Sequence, residues 1–373
     1  MNGSIRVGNL FGIPFYLNPS WFLVFGLITL SYGGQLAQFP QLVGLMPWLL
    51  GAVAALLLFA SVVAHELGHS FVALAQGIKV KSITLFLFGG LASLEKESDT
   101  PLKAFLIAIA GPVVSLLLFV LFAAISFNVT TSAPIAAILS LLASINLALA
   151  VFNLIPGLPL DGGNVLKALV WQITGNPNKG TIVASRVGQF IGWSAVIFGG
   201  LGTLGLVPFG NFWTLLIGFF LLQNAGFSAQ SARVQQVMEG LTAEDAVIPG
   251  SPVVPETLNL REFANDYVIG QRQWHKFLVT DNAGQLAGTL ETNDLKTVPT
   301  SQWTETPIQQ LLRSPQNLRT VQSDLPLWEV IKMLEGGQNP QLTVVRKNGV
   351  IVGLLEKASI LKLLQEKNLT KAA

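Results

Sequence analysis

At 373 residues the chain is long enough for two domains; 51% of it is hydrophobic and only 11% charged, an excess that points to a membrane protein. A net charge of +2 leaves no electrostatic footprint for a nucleic-acid partner. The absence of cysteine excludes disulfides, thiolate metal sites and cysteine nucleophiles, so a zinc site here must be built from His and carboxylate.

The charge is unevenly spread: residues 1–232 are apolar with sparse charge, whereas 233–373 read as ordinary soluble protein. Arg6 is followed by Gly8, Gly12, Pro14, Asn18 and Pro19 rather than a clean apolar core, so no cleavable signal peptide is expected. A first span is expected at about 21–32, extended N-terminally by Phe15-Tyr16-Leu17. The second, about 48–75, carries Ala64-His65-Glu66-Leu67-Gly68-His69. An ionised carboxylate costs several kcal/mol in such a run and is usually functional there. On a helix His65 and His69 project from one face, where two imidazoles can share a metal ion. Glu66 beside them is then placed to accept a proton from water that the metal acidifies.

Residues 78–88 alternate and are rich in β-branched and aromatic types; Gly89-Gly90 and then residues 91–95 follow, which predicts a hairpin with a glycine turn. It reads either as surface ornament or as an edge that pairs with an extended substrate. Thr100-Pro101 supplies an N-cap and a first-turn proline for a third span at about 102–127, with Gly111-Pro112 inside it. Further spans are expected at about 135–155, 182–204 and 212–227. Trp21, Trp48 and Trp213, near span ends, read as interfacial anchors. Gly188, Gly192 and Gly199-Gly200 suggest close helix packing. The loops near 34–47, 128–134 and 205–211 hold no Lys or Arg, while the basic residues collect on the other side; six spans with both termini cytoplasmic satisfy this asymmetry.

Two His leave a catalytic metal short of a third protein ligand. Asp161, in Asn153-Leu154-Ile155-Pro156-Gly157-Leu158-Pro159-Leu160-Asp161-Gly162-Gly163, is the candidate, on the same side as His69. The prolines and glycines break the helix there and let the Asp turn to a cavity; the plainer reading is an Asp-Gly turn. In the soluble part, residues 278–291 and 343–356 are internal repeats, each strand, glycine turn, strand and short helix, with amphipathic helices before them at about 258–267 and 327–334. They resemble a tandem pair of CBS (cystathionine-β-synthase) domains over 239–367, divided into 239–299 and 307–367. His275, with no second His or Cys nearby, carries no metal expectation.

His65–His69 in a span, joined to Asn153…Pro156…Asp161-Gly162 and to Ala110-Gly111-Pro112, resembles the site-2 protease family of intramembrane metalloproteases, in the branch with C-terminal CBS domains. The resemblance implies a polytopic α-helical membrane domain at 1–232 plus a soluble α/β CBS pair. It implies His65, His69 and Asp161 as ligands of one zinc and Glu66 as general base. Asn153 would help hold substrate or the transition-state oxyanion, and the hairpin with Gly89 and Gly90 would present an edge to the substrate. The implied substrates are single-span membrane proteins such as tethered transcription or anti-sigma factors. An adenine nucleotide (ATP, ADP or AMP) at the CBS pair is a further implied regulator. Asp294 is its best residue, since the first copy keeps the acidic position that the second replaces with Ser359. A purely structural or dimerising pair, giving a homodimer, is the other reading. A CBS-gated transporter or channel with His65, Glu66 and His69 on an ion path is the alternative function.

Overall fold

The computed structural model describes residues 3–87, 89–128, 132–269, 274–314, 318–335 and 341–372. The chain divides into two compact units, Met1–Arg233 and Val234–Ala373.

The first unit opens with two strands, β1 (Ile5–Leu10) and β2 (Ile13–Leu17), so Phe15-Tyr16-Leu17 is sheet and not an extension of the first span. Their turn has Phe11 at φ 51° and Gly12 at φ 82°, the paired positive angles of a two-residue hairpin. Helix α1 (Pro19–Leu36) follows, its Asn18 side chain accepting from Ser20 N–H at the N-cap. It runs antiparallel to α2 (Met46–Ala75), with Trp21 against Phe59 at one end and Gly33 against Trp48 at the other. Trp21 is therefore a core residue, 8% exposed and stacked on Phe25, and not an interfacial anchor. Trp48 and Trp213 are exposed.

After α2 come β3 (Val80–Phe86) and β4 (Gly89–Leu94). The two pair antiparallel with Phe86 opposite Gly89, so Gly89 and Gly90 open the second strand and do not form the turn. The expected extension of the first strand to Phe88 lies outside the described residues. Strand β2 pairs parallel with β3, giving a four-stranded sheet in the order β1-β2-β3-β4, with β4 at one edge.

Helices α3 (Pro101–Asn128), α4 (Ala133–Asn153), α5 (Asp161–Thr174), α6 (Pro177–Thr203) and α7 (Phe212–Met238) complete the run. Among the described residues five helices, α2, α3, α4, α6 and α7, are long and apolar enough to cross a membrane. Helix α1, the expected first span, is not one of these five; its 18 residues rise about 27 Å, but Ser31-Tyr32-Gly33-Gly34-Gln35 dilutes its apolar character. Helix α5 was not anticipated and is too short to span. The glycines of α6 do allow close packing: a Cβ on Gly188 would lie 2.0 Å from Leu158 O, and one on Gly199 2.3 Å from Leu215 N. Gly200, by contrast, faces open space.

The second unit contains two three-stranded mixed sheets, one per repeat. The first sets β5 (Val253–Pro255) parallel to β6 (Lys276–Thr280) and β6 antiparallel to β7 (Leu286–Glu291), with the short helix α8 (Leu260–Phe263) between β5 and β6. The second repeats this plan with β8 (Thr320–Gln322), α9 (Leu327–Glu335), β9 (Gln341–Val345) and β10 (Ile351–Glu356), closing on α10 (Lys357–Ala372). Each sheet has its own core: Val254, Phe263, Phe277 and Leu290 in one, Leu327, Val330, Val344 and Leu355 in the other. Burial of each such side chain contributes roughly 1.5–3 kcal/mol. The resemblance to a CBS pair thus extends from the repeat to the fold.

Candidate metal centre

The two histidines stand one turn apart on the buried face of α2; His65 is 3% and His69 9% exposed. Their Nε2 atoms lie 3.3 Å apart. Asp161, the first residue of α5, brings Oδ2 to 3.1 Å from His65 Nε2 and 3.3 Å from His69 Nε2. Each imidazole is turned by its other nitrogen. His69 Nδ1 donates to Ile107 O at 2.6 Å, and His65 Nδ1 shares a hydrogen bond with Ser115 Oγ at 2.9 Å. Both partners belong to α3. The Ile107 contact fixes the tautomer that bares His69 Nε2, the second-sphere arrangement of a metal-ligating imidazole.

These atoms fit a zinc ion. A tetrahedral zinc with donors at about 2.0–2.2 Å spaces them about 3.3–3.5 Å apart, close to the separations found. With both Nε2 atoms unprotonated, a cation among the three would relieve their mutual repulsion. Space for it is kept by α3: a Cβ on Gly111 would stand 2.2 Å from His69 Nε2 and 2.7 Å from His65 Nε2. Close approach of the helices is secured from the other side by Gly68, where a Cβ would meet Ala110 O at 2.9 Å.

Asp161 is carried there by the broken segment after α4. Leu158 N–H donates to Ala184 O on α6 at 3.1 Å, and the chain folds back over the start of α5. A Cβ on Gly162 would lie 2.3 Å from Leu154 O, and one on Gly163 2.2 Å from Leu158 N, so the two glycines after Asp161 permit that fold-back. The plainer reading of Asp161-Gly162 as a surface turn is replaced by a helix start.

Glu66 points to the other side, where Oε2 accepts from Ala92 N–H of β4 at 3.1 Å. A Cβ on Gly90 would lie 2.5 Å from Glu66 Cγ. The glycine therefore lets the strand lie directly against the carboxylate. A cavity of about 400 Å³ opens on His65, Glu66, His69 and Asp161 and is bounded by Gly89, Gly90, Asn153 and Pro159. The four expected site residues outside the metal ligands and the soluble part, Glu66, Asn153, Gly89 and Gly90, line one cavity with His65, His69 and Asp161. Residues that the sequence did not single out also take part, namely Ser115, the Ile107 carbonyl, the Ala92 amide and the α5 side chains Asn164, Lys167 and Trp171.

Asp294 lies in the second unit and is 6% exposed. Oδ2 accepts from Glu291 N–H at 3.0 Å, and Oδ1 is paired with the Arg313 guanidinium. Ser359, its counterpart in the other repeat, donates to Ala246 O at 2.7 Å.

Residues 53–136 and 128–195 match Peptidase family M50. The chain is 62% identical, over 98% of its own length and 96% of the relative's, to sll0528 of Synechocystis sp., a protein assigned as a zinc metalloprotease. It is 31% identical to Rip3 of Mycobacterium tuberculosis, likewise assigned, over 98% of this chain and 93% of that one. Among solved structures, the site-2 protease from Methanocaldococcus jannaschii is 31% identical and covers 61% of this chain and 95% of its own, with a TM-score of 0.45.

Proposed function

This chain belongs to peptidase family M50, the site-2 protease family of zinc metalloproteases, and we propose that it cuts peptide bonds at the membrane with His65, His69 and Asp161 as zinc ligands and Glu66 as general base. It is an integral membrane protein. The convergence of three donor atoms at 3.1–3.3 Å carries this reading, because two come from α2 and the third from α5, and all three open on the Glu66 cavity. Among the described residues, the transporter alternative gains no support from any contact in the unit.

Zinc bound there supplies Lewis acidity toward a peptide carbonyl and acidifies water. Glu66 accepts the proton of the attacking water and hands it to the leaving amine, the usual double duty of a general base. Ala92 N–H holds one of its oxygens, leaving Oε1 for the proton. Asn153, at the end of α4, places an amide on the cavity wall, where it serves substrate or oxyanion. A helical substrate shields its own peptide groups, so it must unwind before it is cut; the edge of β4 from Gly89 offers the main-chain pairing that an extended segment needs.

Single-span membrane-tethered regulatory proteins are the proposed substrates; with α1 taken as a sixth crossing beside the five apolar helices, the basic-residue asymmetry supports both termini on the cytoplasmic side. For the CBS-like pair we propose control by an adenine nucleotide at Asp294, whose ribose hydroxyls would take the place now held by Arg313. Dimerisation through this pair is the accompanying proposal.

The deciding experiment measures zinc per chain and cleavage of a single-span reporter in the wild type and in Glu66→Gln. About one zinc in both proteins, with cleavage lowered at least 10²-fold in the variant, is expected. Zinc-free protein, or equal cleavage by the two, would reject the assignment.

A further inference from the structure

Asp161, Asn164, Lys167 and Trp171 all line the cavity, and their spacing along α5 keeps them on one side of that helix. The row leads away from the metal ligands: carboxylate, amide, ammonium, indole. Opposite it run the edge of β4 and the segment beyond, with Glu97. Lys167 Nζ is 2.8 Å from Glu97 Oε2; the Lys side chain is 17% exposed and the Glu side chain 77%. An ammonium drawn into a cavity needs an anionic partner. Here a nearly free surface carboxylate reaches across to supply it, in the space through which a strand added to β4 would pass.

Building on the protease reading above, we propose that Lys167 is a carboxylate-binding subsite for an acidic side chain of the substrate, and that Glu97 occupies it in the free enzyme. Exchange of one carboxylate for another keeps the Lys167 ammonium paired before and after substrate enters. Glu97 loses little in leaving, because its own side chain is already solvated. The subsite selects among substrates because cytoplasmic flanks of spans are enriched in Lys and Arg, which Lys167 repels, so an acidic residue there sets a substrate apart.

The test uses the full chain and single-span reporters in which Gln, Glu or Lys is scanned one position at a time through the cytoplasmic flank. Reporter binding is measured on Glu66→Gln, and cleavage on protein with Glu66 intact. At one position Glu is expected to tighten binding about tenfold over Gln, with Lys weaker than Gln. The double exchange Glu97→Lys with Lys167→Glu rebuilds the ion pair in reverse, and it is expected to invert that preference at the same position. A merely structural tie between α5 and the β4–α3 segment predicts instead that the exchanged protein keeps the wild-type profile. That result, a flat profile in the wild type, or no reporter binding at all overturns the subsite. Charge-dependent binding without cleavage would count against the protease reading alone, and cleavage without charge dependence against the subsite alone.

Discussion

A side chain at position 111 would have to occupy the place where His65 Nε2 and His69 Nε2 meet, at 2.7 and 2.2 Å from the new carbon. Gly111→Ala is therefore expected to lose bound zinc and activity together, whereas Gly200→Ala, with nothing within 4 Å, keeps both; zinc-to-protein ratios of the two purified variants decide it. Ser115→Ala removes the partner of His65 Nδ1 and leaves the three ligands in place. Its expected cost is a 10–100-fold loss of zinc affinity, read by competition with a chelator. At this scale the sequence was legible where local spacing defines the chemistry. The pair His65 and His69, one helical turn apart, could be read directly; Asp161, in a Pro- and Gly-broken segment, stood out only as the carboxylate that the pair lacked, against the plainer reading as a turn. Ser115 and the Ile107 carbonyl could not, because they reach the imidazoles from another helix and nothing near them in the chain marks the contact.

In the mechanism proposed above, the element that joins chemistry to substrate is β4. Its Ala92 N–H turns away from β3 and toward Glu66. Proline at an outward-facing edge position removes that donor while sparing the ladder to β3. Ala92→Pro is therefore expected to retain zinc and lose at least tenfold in cleavage; loss of zinc as well would show that β4 supports the ligands and not only the base. The hairpin β3–β4 was readable from alternation, but the β1–β2 hairpin was not. Phe11 holds one of two positive-φ turn positions usually taken by Asn, Asp or Gly. The parallel pairing of β2 with β3 also joins segments far apart in sequence. Helix α5 was hidden for a different reason: Gly162-Gly163 reads as a breaker, yet the backbone of residues 154–158 lies so close that only glycine fits.

Across the whole molecule, the division into an apolar and a charged part was plain in composition, and each part folds as a compact unit. Zinc bound at His65, His69 and Asp161 is expected to stabilise the unit that contains them. At a zinc concentration 100 times the dissociation constant the gain is about 2.7 kcal/mol. Chelation is expected to speed amide exchange in α5 and in residues 154–160 while leaving β6, β7, β9 and β10 as protected as before; uniform loss of protection would contradict this division. The residues of the centre are also separated in time. His65 precedes Asp161 by 96 positions, and at a synthesis rate of about 5–20 residues per second the interval between them is about 5–20 s. A nascent chain thus spends that interval with two ligands made and the third still to be translated. The three-atom cluster can therefore close only once α5 has been made, after α2, α3 and α4 are already in place in the chain order.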